Sequence, residues 1–386
     1  MPAISGGRAP NLTPPPGNPR FPLLDSLRAI AALCVFAGHT VTGTYGLTTH
    51  RSLFVLATQL AYEGVAIFFL ISGFLLYRPF LVARRAARPF SLVRFAQRRI
   101  LRIVPAYWVA LSIFLALGVV NGVTSGNWWI FYGFGQNYRF NTIGNGIGVA
   151  WTLCIEVTFY AALPIFSLAA ARLSTATAPL RGDVILLAAL GTGALAFRAH
   201  DGAFQSLATV STLPGFFFWF ALGMGLAVAS VTERGRSAAG AVRVRYWSTL
   251  SWLLAVAGFI LLHELPHAVG ALGATEVDVA THALYGIVAL LMLLPAFFEA
   301  DRDSVVRRVL RRPVLAWIGL VSYAFYLYHT IVIAQLNEFA ASHGIALRYP
   351  LVTVGALVVS LGCAAASFYL LERPLMRLGV RPRARP

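Results

Sequence analysis

The chain has 386 residues, 58% of them hydrophobic and only 12% charged, with a mean hydropathy of +0.72. An ordinary soluble surface cannot hide that many apolar side chains, so the solvent for most of this chain is lipid. The formal charge of +17 comes from 31 basic residues, all arginine, gathered at the ends of apolar stretches with no zinc-finger spacing, no RNA-binding aromatic motif and no soluble basic helix. That distribution excludes nucleic acid as a partner.

Residues 1–22 (MPAISGGRAPNLTPPPGNPRFP) are rich in Pro, Gly and Asn and are predicted to form a disordered tail. The tail does not read as a signal peptide, because prolines separate its basic start from the apolar run and no small-residue cleavage site follows. Apolar spans then follow at 24–46, 54–77, 102–120, 149–171, 183–199, 212–231, 247–264, 279–299, 314–336 and 350–371. Each is close to the roughly 20 residues that cross a bilayer. The predicted fold is all-α, a polytopic bundle of about ten transmembrane helices.

If the N-terminus is cytoplasmic, the inside segments 1–28, 78–102, 172–181, 234–245, 302–312 and 373–386 hold 27 of the 31 arginines. The outside segments keep Arg51, Arg139, Arg198 and Arg348. Positive charge accumulates in short cytoplasmic loops, so both termini are predicted to be cytoplasmic. The outside stretch 121–148 carries the run WWIFYGFG, too short and Gly-rich to span, which suits an interfacial belt or a re-entrant cover over a site. Cys34, Cys154 and Cys363 all lie inside apolar stretches without CxxC or Cys/His spacing, so neither a disulfide framework nor a metal site is expected.

Ionisable residues inside spans carry the functional signal, because each is costly in lipid unless it faces a cavity or a partner. His39 lies in the middle of the first span, with Arg28 eleven residues earlier. Eleven residues make about three helical turns and advance roughly 16 Å, so the two share a face. Arg28 also reads as an orientation-setting anchor, and His39 as a core histidine bonded to a neighbouring helix. Glu156 interrupts WTLCIEVTFY, where a carboxylate needs a partner; a structural ion pair would also serve. In SYAFYLYH, Ser322, Tyr326 and His329 follow one another at i, i+4 and i+7 and line one helix face. Between the second and third spans stand Arg78, Arg84, Arg85, Arg88, Arg94, Arg98, Arg99 and Arg102. Topology explains most of them. Arg99 and Arg102, at i and i+3, form a pair of guanidinium forks suited to phosphate.

These pieces together resemble the acyltransferase-3 group of membrane-bound O-acyltransferases, from about residue 23 to residue 375. Arg28 and His39 match the family's arginine, ten residues, histidine signature, and EGVAIFFLISGFLL (63–76) its second-helix motif. Arg99 and Arg102 match its RxxR motif, WTLCIEVTFYAALP its Trp and Glu segment, SYAFYLYH its penultimate-helix motif and LERPL (371–375) its closing motif. The resemblance implies a transmembrane acyltransferase domain over 23–373 and a basic tail over 374–386. Many members that modify polysaccharides or peptidoglycan carry a C-terminal extracytoplasmic domain, whereas this chain ends thirteen residues after Arg373. Length and an Ala-, Arg- and Gly-rich composition without lysine are similar to the macrolide acyltransferases of antibiotic producers.

The resemblance implies a short acyl group moving from acyl-CoA, a co-substrate and not a bound cofactor, to a hydroxyl of a sugar-containing or macrolide-like acceptor. A glycan of the cell envelope is the alternative acceptor. The expected setting is the bacterial cytoplasmic membrane, with acyl-CoA, a small-molecule or glycan acceptor and the lipid bilayer as partners. The expected roles are His39 as general base, Glu156 orienting or charge-stabilising a histidine, and Arg28 or a cavity tyrosine stabilising the oxyanion. Arg99 and Arg102, with Arg98, are expected to hold acyl-CoA phosphates, and Ser72, Ser322, Tyr326 and His329 to line the cavity. A transporter would also use ten helices and buried Arg, His and Glu. It has no need of a phosphate-gripping arginine pair, and no internal repeat supports it.

Overall fold

The computed structural model describes residues 21–45, 51–139, 141–201, 211–232, 246–265, 273–297, 304–345 and 349–378. The tails 1–20 and 379–386, the basic segment 233–245 and the acidic segment 298–303 lie outside the described residues. Helices run in the order α1 (Pro22–Tyr45), α2 (Arg51–Arg85), α3 (Leu92–Ala116), α4 (Trp128–Tyr132), α5 (Trp151–Leu173), α6 (Arg181–Asp201) and α7 (Leu213–Val231). They continue as α8 (Trp247–Glu264), α9 (Ala274–Leu293), α10 (Val305–Leu310), α11 (Pro313–Ser342), α12 (Tyr349–Ser367) and α13 (Arg373–Leu378). Ten of the described helices are long and apolar enough to cross a membrane, one for each apolar span of the sequence. Outward-facing side chains such as Ile165, Leu253 and Leu370 are apolar, as lipid requires.

Two helices outrun the hydropathy pattern. α2 continues through Pro79 to Arg85, and α3 begins at Leu92, so the arginine-rich loop is two helix ends joined by residues 86–91. Hydropathy stops at the first arginine, but arginine is a good helix former and the helix does not stop there. The end of α2 is tied down by Asp183 of α6, a fully buried carboxylate that receives Tyr77 Oη–H and the Arg84 guanidinium. Arg78 donates to Ser230 at 3.2 Å and lies over the Phe21 ring. These contacts give two of the loop arginines structural partners.

α1 and α2 form the centre of the bundle, with α1 packed along both α2 and α11 and α2 against α7. Glycine makes the close approaches possible. A Cβ at Gly64 would overlap the Ala31 carbonyl of α1, and one at Gly319 would overlap the Asp25 backbone, so α1 is clasped on both sides by helices without side chains there. The chain after α12 makes a π-turn over Phe368–Glu372 before α13, and this turn packs against α3. A π-turn admits one extra residue per turn and re-aims the side chains that follow.

Candidate active site

The inner cavity collects side chains from five helices. Its charged lining is Arg28 of α1, Arg99 and Arg102 of α3, and Glu156 of α5. Ser72 of α2, Tyr160 of α5 and Ser322, Tyr323 and Tyr326 of α11 complete the polar part, and Phe68 and Phe69 form an apolar wall. The enclosed volume is ≈ 80 Å³. Thr152, Glu156 and Tyr160 are spaced by four and so share one stripe of α5 facing this space.

The charged lining residues differ in their support. Ser72 Oγ donates to Glu156 Oε1 at 2.7 Å, and Tyr160, one turn further along α5, lines the same space. Arg28 meets Asp25 at 3.7 Å, one turn back on its own helix. The π-turn sets Glu372, 2% exposed, beside Arg102. Neither Asp25 nor Glu372 lines the cavity, so its surface presents three guanidinium groups and one carboxylate. Among the described residues Arg99 Nε is buried with no hydrogen-bond partner, a donor left for something that binds. Arg98, expected beside the pair, is exposed on α3 and lines no part of the cavity.

His39 faces a second, outer cavity of ≈ 200 Å³, lined also by Tyr62, Trp151, Ser211, Ile143 and Gly144. Ile143 and Gly144 belong to the aromatic-rich stretch that the sequence left between a belt and a cover. In the structure it carries the short helix α4 and folds back onto the bundle. Tyr107 Oη donates to the Phe131 carbonyl at 3.1 Å, and Asn137 Nδ2 donates to the Trp151 and Ser211 carbonyls at 2.7 and 2.6 Å. The stretch therefore acts as a cover. Val65 and Tyr326 line both cavities and stand between them. Arg28 and His39, one face of one helix, thus serve different chambers.

Three sequence-derived roles change. Glu156 does not orient a histidine; its carboxylate is held by Ser72, and the ring partner of His39 is His329, with Nδ1 of His39 2.9 Å from Nε2 of His329. His329, 1% exposed, lines neither cavity but stands behind His39. Tyr326 is a poor oxyanion donor, because its hydroxyl is engaged by Thr152 Oγ1 at 2.9 Å and donates to the Val149 carbonyl at 3.1 Å. Ser72, Ser322 and Tyr326 line the inner cavity.

The family model described as an acyltransferase domain matches residues 21–368, a stretch that includes both cavities. The chain belongs to the acyltransferase-3 family. It is thus a multi-pass membrane O-acyltransferase, and the resemblance drawn from its motifs is correct. The acyltransferase is 28% identical over 386 residues to "Nodulation protein 10" of Rhizobium leguminosarum bv. viciae, covering 92% of this chain and 93% of that one. It is 28% identical over 390 residues to "Acyltransferase MdmB" of Streptomyces mycarofaciens, covering 94% of each. It is 26% identical over 324 residues to "Exopolysaccharide production protein ExoZ" of Rhizobium meliloti, covering 82% of this chain and 90% of the relative. No solved structure matches it.

Proposed function

We propose that this acyltransferase moves a short acyl group from acyl-CoA to a hydroxyl of a sugar-containing or macrolide-like acceptor in the bacterial cytoplasmic membrane. The observation that carries the reading is the inner cavity, where three guanidinium groups, one with an unpartnered buried nitrogen, face a single carboxylate. Such a surface suits the phosphates of a CoA ester. Ten crossings would return the chain to the side on which it started, and the arginine distribution supports that side being the cytoplasm, where acyl-CoA is found.

The donor enters from the arginine side, and its thioester reaches past Val65 and Tyr326 towards His39. The acceptor occupies the outer cavity, its ring against Tyr62 and Trp151, whose ring centroids are 6.4 Å apart. His39 takes the proton of the acceptor hydroxyl as that oxygen bonds to the thioester carbonyl carbon. The tetrahedral oxyanion then collapses, the carbon–sulfur bond breaks, and the departing CoA sulfur receives the proton back from the imidazolium. Glu156, fixed by Ser72, offsets part of the charge of the three guanidinium groups that share the cavity with it. The name of one relative, an exopolysaccharide production protein, favours a glycan as the second acceptor class.

The test is transfer from labelled acetyl-, propionyl- and isovaleryl-CoA to candidate acceptors by purified protein in detergent. Wild-type protein should transfer label, and His39→Gln should lose about 10²- to 10⁴-fold in rate while still binding acyl-CoA. Near-normal transfer by His39→Gln would remove His39 as the base.

A further inference from the structure

The pairing of His39 with His329 fixes which nitrogen does the work. Nδ1 of His329 lies 2.9 Å from the Tyr326 carbonyl and 3.3 Å from the Phe325 carbonyl. A carbonyl oxygen only accepts, so Nδ1 carries the N–H. A neutral imidazole has one N–H, which leaves Nε2 of His329 with a lone pair. Its partner 2.9 Å away, Nδ1 of His39, must then donate. That leaves the lone pair of His39 on Nε2.

The alternative arrangement is a charged His329, a donor at both nitrogens. His39 would then have to accept at Nδ1, and Nε2 would carry a hydrogen useless for abstracting a proton. The surroundings of His329 oppose that state. It is 1% exposed, stacked on Phe325 with centroids 5.9 Å apart and ring planes 15° apart, and flanked by Phe36. Across the ring lies the other histidine, and no carboxylate hydrogen-bonds to it among the described residues. A cation buried among aromatic rings at membrane depth without an acid partner is strongly disfavoured.

We propose that His329 is a positioning residue that accepts the Nδ1–H of His39 and so leaves Nε2 of His39 as the nitrogen that takes the acceptor's proton. The fold supplies by this means what a carboxylate supplies in a serine hydrolase triad, where the wrong tautomer of the base costs about 10⁴ in kcat. A histidine does it without placing a net charge in the bundle. The carbonyls of α11 set the first tautomer, and each ring sets the next, so the chain of donors runs from backbone to base. This inference rests on His39 acting as the base.

The experiment uses full-length protein in detergent, with kcat and both KM values measured for wild type, His329→Phe, His329→Gln and His39→Gln. Phe keeps a ring to stack on Phe325 but deletes the acceptor. Gln presents its Oε1 near the position of Nε2 and can still accept from His39. His329→Phe should lose about 10²-fold or more in kcat with KM for acyl-CoA changed by less than about threefold, and His329→Gln should stay within about tenfold of wild type. Adding His329→Phe to His39→Gln should cost nothing further, since the positioned base is already gone. Should the Phe variant fail to bind acyl-CoA, His329→Leu, which is smaller and also lacks an acceptor, takes its place. Equal loss in Gln and Phe variants, a loss confined to KM, or an additive double variant would overturn the proposal. A wild-type enzyme insensitive to His39→Gln would overturn the reading beneath it instead, so the two failures are distinguishable.

Discussion

Replacing Arg99 and Arg102 together by glutamine measures how far the inner cavity is built for phosphate. Arg99 Nε is buried and unpartnered among the described residues, so a phosphate oxygen that takes it forms a new charged hydrogen bond without breaking one there. Such a bond contributes about 1.5–3 kcal/mol, and each 1.4 kcal/mol is a factor of ten in affinity. Two of them would give roughly 10²- to 10⁴-fold. Arg102 lies in the field of the buried Glu372 and, unlike Arg99, shows no orphaned buried nitrogen, so the lower end applies. The double variant should therefore bind acyl-CoA about a hundredfold more weakly, most of it from Arg99. Arg98→Gln removes the same charge from the same helix outside the cavity, and should change affinity by less than about twofold. Equilibrium binding of labelled acyl-CoA at two salt concentrations separates contact from general attraction, because exposed charges are screened and the buried contact is not. Unchanged affinity in the double variant, or an equal loss in Arg98→Gln, would refute the assignment.

Tyr62→Ala should act on the other substrate. Tyr62 lines the outer cavity and stacks on Tyr285 with centroids 5.9 Å apart; its loss should raise the acceptor KM about tenfold and leave acyl-CoA affinity unchanged, as kinetics with varied acceptor would report. A reporter inserted near Asn141, in the segment that covers this cavity, should read as external and one after Pro386 as cytoplasmic. A cytoplasmic signal at Asn141 would invert the direction from which each substrate enters.

The ten spans were legible because lipid admits a narrow range of apolar lengths. Most of the inner cavity was legible because Arg28, Arg99, Arg102 and Glu156 are charges where lipid forbids them. Helical period also gave the stripe through Ser322 and Tyr326, and the same spacing run forward from Glu156 would have found Tyr160. What the pattern could not give is which helix faces which. The His39–His329 pair joins residues 290 apart in sequence, and the Ser72–Glu156 bond joins residues 84 apart, with no local signal for either. Glu372 was hidden for a further reason: a π-turn shifts the register just before it, so a period of 3.6 carried down α12 predicts the wrong face. Tyr62 carries no charge and reads as an ordinary membrane aromatic, and Trp151 stood out only as part of a motif.

The separation of the two cavities gives the eleven-residue spacing of Arg28 and His39 its physical meaning. Phosphates need guanidinium groups near the aqueous surface, whereas a thioester under attack is best kept from water, which would compete with the acceptor. One helix satisfies both needs when its arginine and its histidine share a face about three turns apart, roughly 16 Å. The partition between the chambers is Val65 and Tyr326, and Tyr326 is held by Thr152, the Val149 carbonyl and an edge-on contact with Phe68 at 6.1 Å. A tyrosine fixed in that way restricts what passes to a slender arm, and the CoA ester presents its acyl end on such an arm. On the proposed reading the phosphates are held at the arginines, the acceptor ring lies against Tyr62 and Trp151, and the two reacting atoms meet beside His39.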